Sequence, residues 1–193
     1  RQRDDIPLTT QRKAFWHRTQ EWRDLGEHPH LVSGYYTLEV GGRLRFFVHH
    51  VPARPLPVWL AGLAGPAPLP RRLDLAIQLA SALELLQARQ VAHGALRPSS
   101  CLVADDDTLR LSPSTSFAQG IEAAGMADYA APEGTGKPPA DVYAFGVILR
   151  ELLAGQAAPA LESLIVDCLE RNPGARPTAS ELRDPNRPVV DRR

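Results

Sequence analysis

Hydrophobic residues along the chain change period several times, and each change marks an element. In "FWHRTQEWRDL", Phe15, Trp22 and Leu25 share one stripe at helical spacing and Gly26 is a stop, so a helix is expected over about residues 10–25. In "GYYTLEVGGRLRFFVHHV", Tyr36, Leu38 and Val40 alternate toward Gly41-Gly42, and Leu44, Phe46 and Val48 alternate away from it. A Gly-Gly pair between alternating runs predicts a β-hairpin over about 35–51. The Pro-rich stretch 52–70 reads as an irregular hinge with one short helical piece around 58–63. From Pro70 onward, Leu75, Leu79, Leu83 and Leu86 recur at spacings of four, four and three, with Leu73, Ile77 and Ala80 widening the stripe. This is the strongest helix signal in the chain.

"SCLV" and "TLRLS", separated by "ADDD", predict a second small hairpin with an acidic turn. A loop is expected from Pro113 to Ala140. "DVYAFGVILRELLAG" is apolar on most faces and predicts a central buried helix, and "ALESLIVDCLERN" an amphipathic one ending before Pro173. The Pro- and charge-rich residues 184–193 are expected to fray.

A chain of 193 residues fits one ordinary domain, or a small domain with a satellite lobe. Its formal net charge is zero, which gives no reason to expect a nucleic-acid or anionic membrane partner. The longest apolar run, "LDLAIQLASALELLQA", is too short and too charged to span a bilayer, and "RQRDDIPLTT" holds no signal-like apolar stretch. Cys101 and Cys168 have no CxxC spacing, so disulfides and zinc knuckles are not expected and a reducing cytosol is. The abrupt start suggests a piece of a longer protein.

The order hairpin, hinge, long helix, "H-x-x-L-R-P", acidic hairpin, "APE", "DVYAFGVIL", "RNPGARPT" resembles the protein kinase fold, specifically bacterial relatives of eukaryotic Ser/Thr kinases, over about residues 15–183. The resemblance implies an α+β, protein kinase-like architecture with a mostly α C-lobe (71–183). Its N-lobe (1–51) is truncated to one helix and a hairpin, because about 14 residues before Phe15 cannot hold three glycine-rich strands of about five residues each.

An active kinase of this family grips ATP phosphates with a strand Lys held by a helix Glu, orients the substrate hydroxyl with an Asp, and holds magnesium with an Asn and a second Asp. Against the family's "H-R-D-L-K-P-x-N", this chain has Ala95 at the catalytic Asp and Ser100 at the magnesium Asn. The "D-F-G" Asp falls on Pro113, and Arg18 stands where the helix Glu belongs, with Glu21 one turn away. The chain has only two lysines, Lys13 and Lys137, and neither sits on a suitable strand. "GTGKPP" (134–139) lacks the spacing and preceding strand of a phosphate loop.

Positions that brace the family's fold are retained. The resemblance implies a pair between Glu133 of "APE" and Arg176, a contact from Asp141 to the catalytic-loop backbone, and packing of His93 beneath that loop. The acids Asp105 to Asp107 read as a solvated turn, the "HPH" of His28 and His30 as a helix–strand junction, and His49 and His50 as opposite faces of a strand, unsuited to one ion. No metal, ATP or other cofactor is therefore expected. The expectation is a pseudokinase serving as a scaffold or regulatory protein-binding module in the cytoplasm. Its partner, a second protein or another domain, would seat on Phe15, Trp16 and Trp22, the surface bared by the missing strands. The alternative is a divergent Ser/Thr kinase, or a nucleotide-binding pseudokinase, whose glycine-rich strands lie outside this sequence.

Overall fold

In a computed structural model, the described residues are 5–63, 65–114, 127–134, 136–153 and 159–183. Helix α1 (Asp5–Asp24) begins about five residues earlier than periodicity indicated; Pro7 falls in its first turn, where an amide has no helical acceptor. Its stripe forms as expected: Phe15, Trp22 and Leu25 are all buried.

Strands β1 (Gly34–Val40) and β2 (Arg43–Val48) pair antiparallel about the Gly41-Gly42 turn, where φ of +60° and +74° selects glycine at both positions. The alternation is real, but the face it turns outward is the apolar one. Tyr36, Leu38 and Val40 are half exposed, while Thr37 faces α1 and donates from its hydroxyl to the Thr19 hydroxyl at 2.7 Å. α1 packs mainly on β1, so one hydroxyl pair seals that contact instead of the larger apolar row.

The stretch read as an irregular hinge carries more order than its prolines suggested. Residues Ala53–Pro55 form β3, which pairs with β4 (Cys101–Ala104), and β4 pairs with β5 (Leu109–Leu111) in a three-stranded antiparallel sheet. Pro55 occupies the edge strand, where a missing amide is tolerated. Helix α2 (Leu56–Ala61) follows and buries Leu56 and Trp59. The acidic turn after β4 is tied down: Asp105 pairs with Arg54 at 2.9 Å, Asp106 accepts the Thr108 amide at 3.0 Å, and Asp107 pairs with Arg71, which also lies over the Trp59 ring.

Helix α3 (Leu69–Ala88) buries Leu75, Leu79, Leu83 and Leu86 almost completely, whereas Ile77 is half exposed and lies off the stripe. Helix α4 (Pro138–Leu153) is buried over most of its surface and packs on α3 and α5 (Pro159–Cys168). At the α4–α5 crossing Gly146 has no room for a side chain: an added Cβ would lie 2.6 Å from Cβ of Cys168. The segment between the helix and the sheet joins the two halves, since Leu111 donates to His30 and Val32 to Leu111 across it. The expected frayed tail, 184–193, and the middle of the loop from 113 to 140 lie outside the described residues.

Candidate functional site

The loop between α3 and β4, with residues 91–97, is held from below by α4. Asp141, in the first turn of α4, accepts the amide of His93 at 2.7 Å with one carboxylate oxygen and that of Gly94 at 2.9 Å with the other. Gly94 has φ +72°, a left-handed conformation suited to glycine, which presents the two amides together. Burial raises the Asp141 carboxyl to about 6, opposed by those two amides and by the nearby charge of Arg18. His93 is fully enclosed; its Nε2 lies 2.9 Å from the Ser112 carbonyl, and burial lowers it to about 4, so the ring is neutral and donates there. The Trp22 ring meets His93 edge-on, and its indole N–H donates to Val32 at 2.9 Å. One aromatic thus joins α1, the linker and the loop.

The positions expected to carry chemistry have other occupations. Ala95 is buried and offers a methyl group. Ser100 closes its own turn: its hydroxyl donates to the Arg97 carbonyl at 2.7 Å and accepts the Arg97 amide at 3.2 Å. Pro113 lines a cleft of about 340 Å³ between α1, β2 and the chain leaving β5; no carboxylate is among the residues lining it. Arg18, on α1, donates to the Ala92 carbonyl at 3.2 Å, and its charge influences both Asp141 and His93. The helix is therefore clasped directly to the loop. Among the described residues, no three His, Cys, Asp or Glu side chains lie together so as to hold a metal ion. The set of Ala95, Ser100, Pro113 and Arg18 does not fit a magnesium–nucleotide group, whose ion wants carboxylate oxygens.

The bracing residues meet as a network. Arg176, whose side chain is fully buried, makes two parallel bonds to Glu133 at 2.5 and 2.7 Å and also donates to the carbonyls of Glu170 and Pro139. Its guanidinium lies over the Tyr143 ring and holds the Glu133 carboxyl below its ordinary value.

Of the residues expected to form a partner surface, only Trp16 is substantially exposed, at 48%. Phe15 and Trp22 are turned into the protein at 8% and 5%, because the helical stripe that they share is the one α1 packs with. Sequence reasoning also missed Arg72, a buried arginine that donates to Ala67 and to the α4 carbonyl of Leu152. An arginine one place off a leucine stripe was the signal available.

A lobe of one helix and one hairpin, a short linker, and a mainly helical lobe whose loop is hung on Asp141 define a kinase-like domain. The profile described as protein tyrosine and serine/threonine kinase matches residues 6–160, and the chain belongs to that family. It is 32% identical over 181 residues to an LRR receptor-like serine/threonine-protein kinase of Arabidopsis thaliana, covering 78% of this chain and 16% of the relative. A probable inactive receptor kinase of the same plant is 33% identical over 108 residues, 48% of this chain and 10% of the relative. A tyrosine-protein kinase of Spongilla lacustris is 24% identical over 217 residues, 90% of this chain and 59% of the relative. The chain thus spans a sixth or less of those plant relatives, and the bacterial affinity expected from the motifs finds no support among these plant and sponge proteins. Among the described residues no helix is long and apolar enough to cross a membrane.

Proposed function

We propose that this chain is a pseudokinase module that binds a protein partner and performs no phosphoryl transfer. The observation that carries the reading is the replacement of all three metal- and hydroxyl-handling groups by Ala95, Ser100 and Pro113, with the Ser100 hydroxyl engaged in its own turn. Arg18 adds a positive charge that reaches the loop where the family places a helix Glu, and the name of one relative, a probable inactive receptor kinase, is in keeping. The two buried free cysteines suit a cytoplasmic setting. The partner surface consists of Trp16 and the bare outer face of the hairpin, in place of Phe15 and Trp22.

The alternative, a divergent kinase, draws on the relatives named as kinases. Thermal unfolding with and without millimolar Mg-ATP, run beside a labelled-ATP transfer assay, separates the two. No midpoint shift and no transfer are expected. A ligand at 100 times its dissociation constant adds about 2.7 kcal/mol, so nucleotide binding would be plain in the midpoint. A shift together with transfer refutes the proposal, while a shift without transfer marks a pseudokinase that keeps nucleotide as a structural ligand.

A further inference from the structure

The two lobes meet at the loop between α3 and β4. The helical lobe carries that loop, and α1 rests on the hairpin. From α1, Nη1 of Arg18 donates to the Ala92 carbonyl at 3.2 Å. Ala92 is buried, and among the described residues its carbonyl accepts from Arg18 alone. A buried carbonyl with no donor is costly, so the helix supplies a bond that the loop does not make for itself. Nη2 of Arg18 lies 3.4 Å from where a Cβ on residue 94 would stand. The family's motif has an arginine at that position and this chain has Gly94, so the guanidinium beside the loop comes from the helix.

The contact has a second member one turn further along α1. There the Trp22 ring meets His93 edge-on, and its indole N–H donates to the Val32 carbonyl at 2.9 Å. Arg18 and Trp22, four residues apart, share one face of α1 and touch consecutive residues of the loop. Trp16 stands two residues before Arg18, about 200° around the helix, and is turned outward. On the other side of the loop, Asp141 accepts the His93 and Gly94 amides. The loop is thus held between a carboxylate of the helical lobe and a guanidinium of the small lobe.

We propose that Arg18 is a latch that holds the small lobe closed on the loop with no nucleotide bound, and so fixes the Trp16 side of α1 for a partner. The residue type decides the sign of the contact. A glutamate at 18 has no hydrogen to give the Ala92 carbonyl and would add a second negative charge near Asp141, whereas arginine donates to the one and attracts the other. Because the bond is made within the chain, closure requires no ligand. A surface that is already ordered loses less conformational freedom when a partner binds. The inference rests on the reading of the chain as a protein-binding module without phosphoryl transfer, and states how that module is held ready.

The test is NMR on the full 193-residue chain. In the wild type the Arg18 Nη protons are expected to exchange slowly and to show a through-hydrogen-bond coupling to the Ala92 carbonyl carbon, a readout that needs no variant. Mg-ATP is expected to leave the residual dipolar couplings of α1 and of the helical lobe unchanged. In Arg18→Ala, exchange of the Trp22 indole N–H and the His93 amide is expected to rise about tenfold, within the worth of one hydrogen bond from a charged donor. Circular dichroism verifies that the variant folds, and if it does not, the wild-type readouts decide. The Arg18 charge lowers both Asp141 and His93, so both titration midpoints rise in Arg18→Ala and stay in place in Arg18→Lys. A mere loss of packing would not sort the variants by charge. Fast-exchanging Arg18 protons in the wild type, wild-type exchange and midpoints in a folded Arg18→Ala, or lobes that Mg-ATP reorients would each overturn the proposal. If those readouts fail while Mg-ATP gives no transfer, this inference alone falls; transfer from Mg-ATP with Arg18 still clasped overturns only the reading beneath it.

Discussion

Removing Glu133 tests the most consequential contact outside the loop. In Glu133→Ala the Arg176 guanidinium, whose side chain is fully buried, keeps its charge and loses both carboxylate bonds. Breaking a buried pair from one side costs about 3–5 kcal/mol. Glu133 itself is 27% exposed, so water reaches the vacated rim, and the expected loss falls to about 2–3 kcal/mol. Arg176→Ala costs more, about 3–5 kcal/mol, because the Glu170 and Pro139 carbonyls also lose their donor. The double variant is expected to match Arg176→Ala alone, a coupling of about 2–3 kcal/mol. Urea unfolding at pH 7, read from midpoints at constant slope, measures all three. The pair lowers the Glu133 carboxyl below its ordinary 4.5, so its contribution is complete above that pH and is lost as pH falls through the lower folded value. The gap between wild type and Glu133→Ala therefore narrows in acid. A loss within about 0.5 kcal/mol of zero, or an additive double variant, would refute the reasoning.

The remaining expectations concern the loop and the helix crossing. Asp141→Ala strands two buried amides and costs about 2–4 kcal/mol, measured by the same unfolding assay. Because the Asp141 carboxyl is raised from 3.8 to about 6, its protonated form is favoured in the fold, so the proton-linked part of its contribution is full below 3.8 and is lost as pH rises through about 6, leaving the two amide bonds to be measured at pH 7. His93 runs the other way: lowered from 6.5 to about 4, it contributes above 6.5 and loses that contribution as pH falls toward 4. Carboxyl-carbon and imidazole NMR titrations should place the two midpoints near 6 and 4, and values near 3.8 and 6.5 would remove the burial argument. Gly146→Ala forces α4 from α5 and costs about 1–3 kcal/mol; a neutral effect would mean that the helices separate freely.

Much of the architecture was legible because its signals are local. The leucine stripe of α3 and the Gly-Gly turn of the hairpin follow from periods of 3.6 and 2 within a dozen residues. β3 was not legible, since a three-residue strand ending on Pro55 exists only by pairing with β4 about fifty positions later. Glu133 and Arg176 stand 43 positions apart, and no periodicity joins them; only the resemblance to a family did. Phe15 and Trp22, expected on an open surface, are buried, because a helical stripe that is rich in aromatics says that a face exists, without saying whether the protein itself covers it.

The sequence by itself decided which functional groups exist at 95, 100 and 113: a methyl, a hydroxyl and a pyrrolidine ring, which no packing converts into metal-holding carboxylates or a carboxamide. Tertiary structure decided what the surrounding residues do instead. It spends the Ser100 hydroxyl within a turn, clasps Arg18 to the loop, encloses His93 as a neutral ring, and turns the apolar row of β1 outward. The division has one physical cause: side-chain chemistry is a property of each residue, whereas burial, pairing and protonation depend on neighbours brought together from distant parts of the chain.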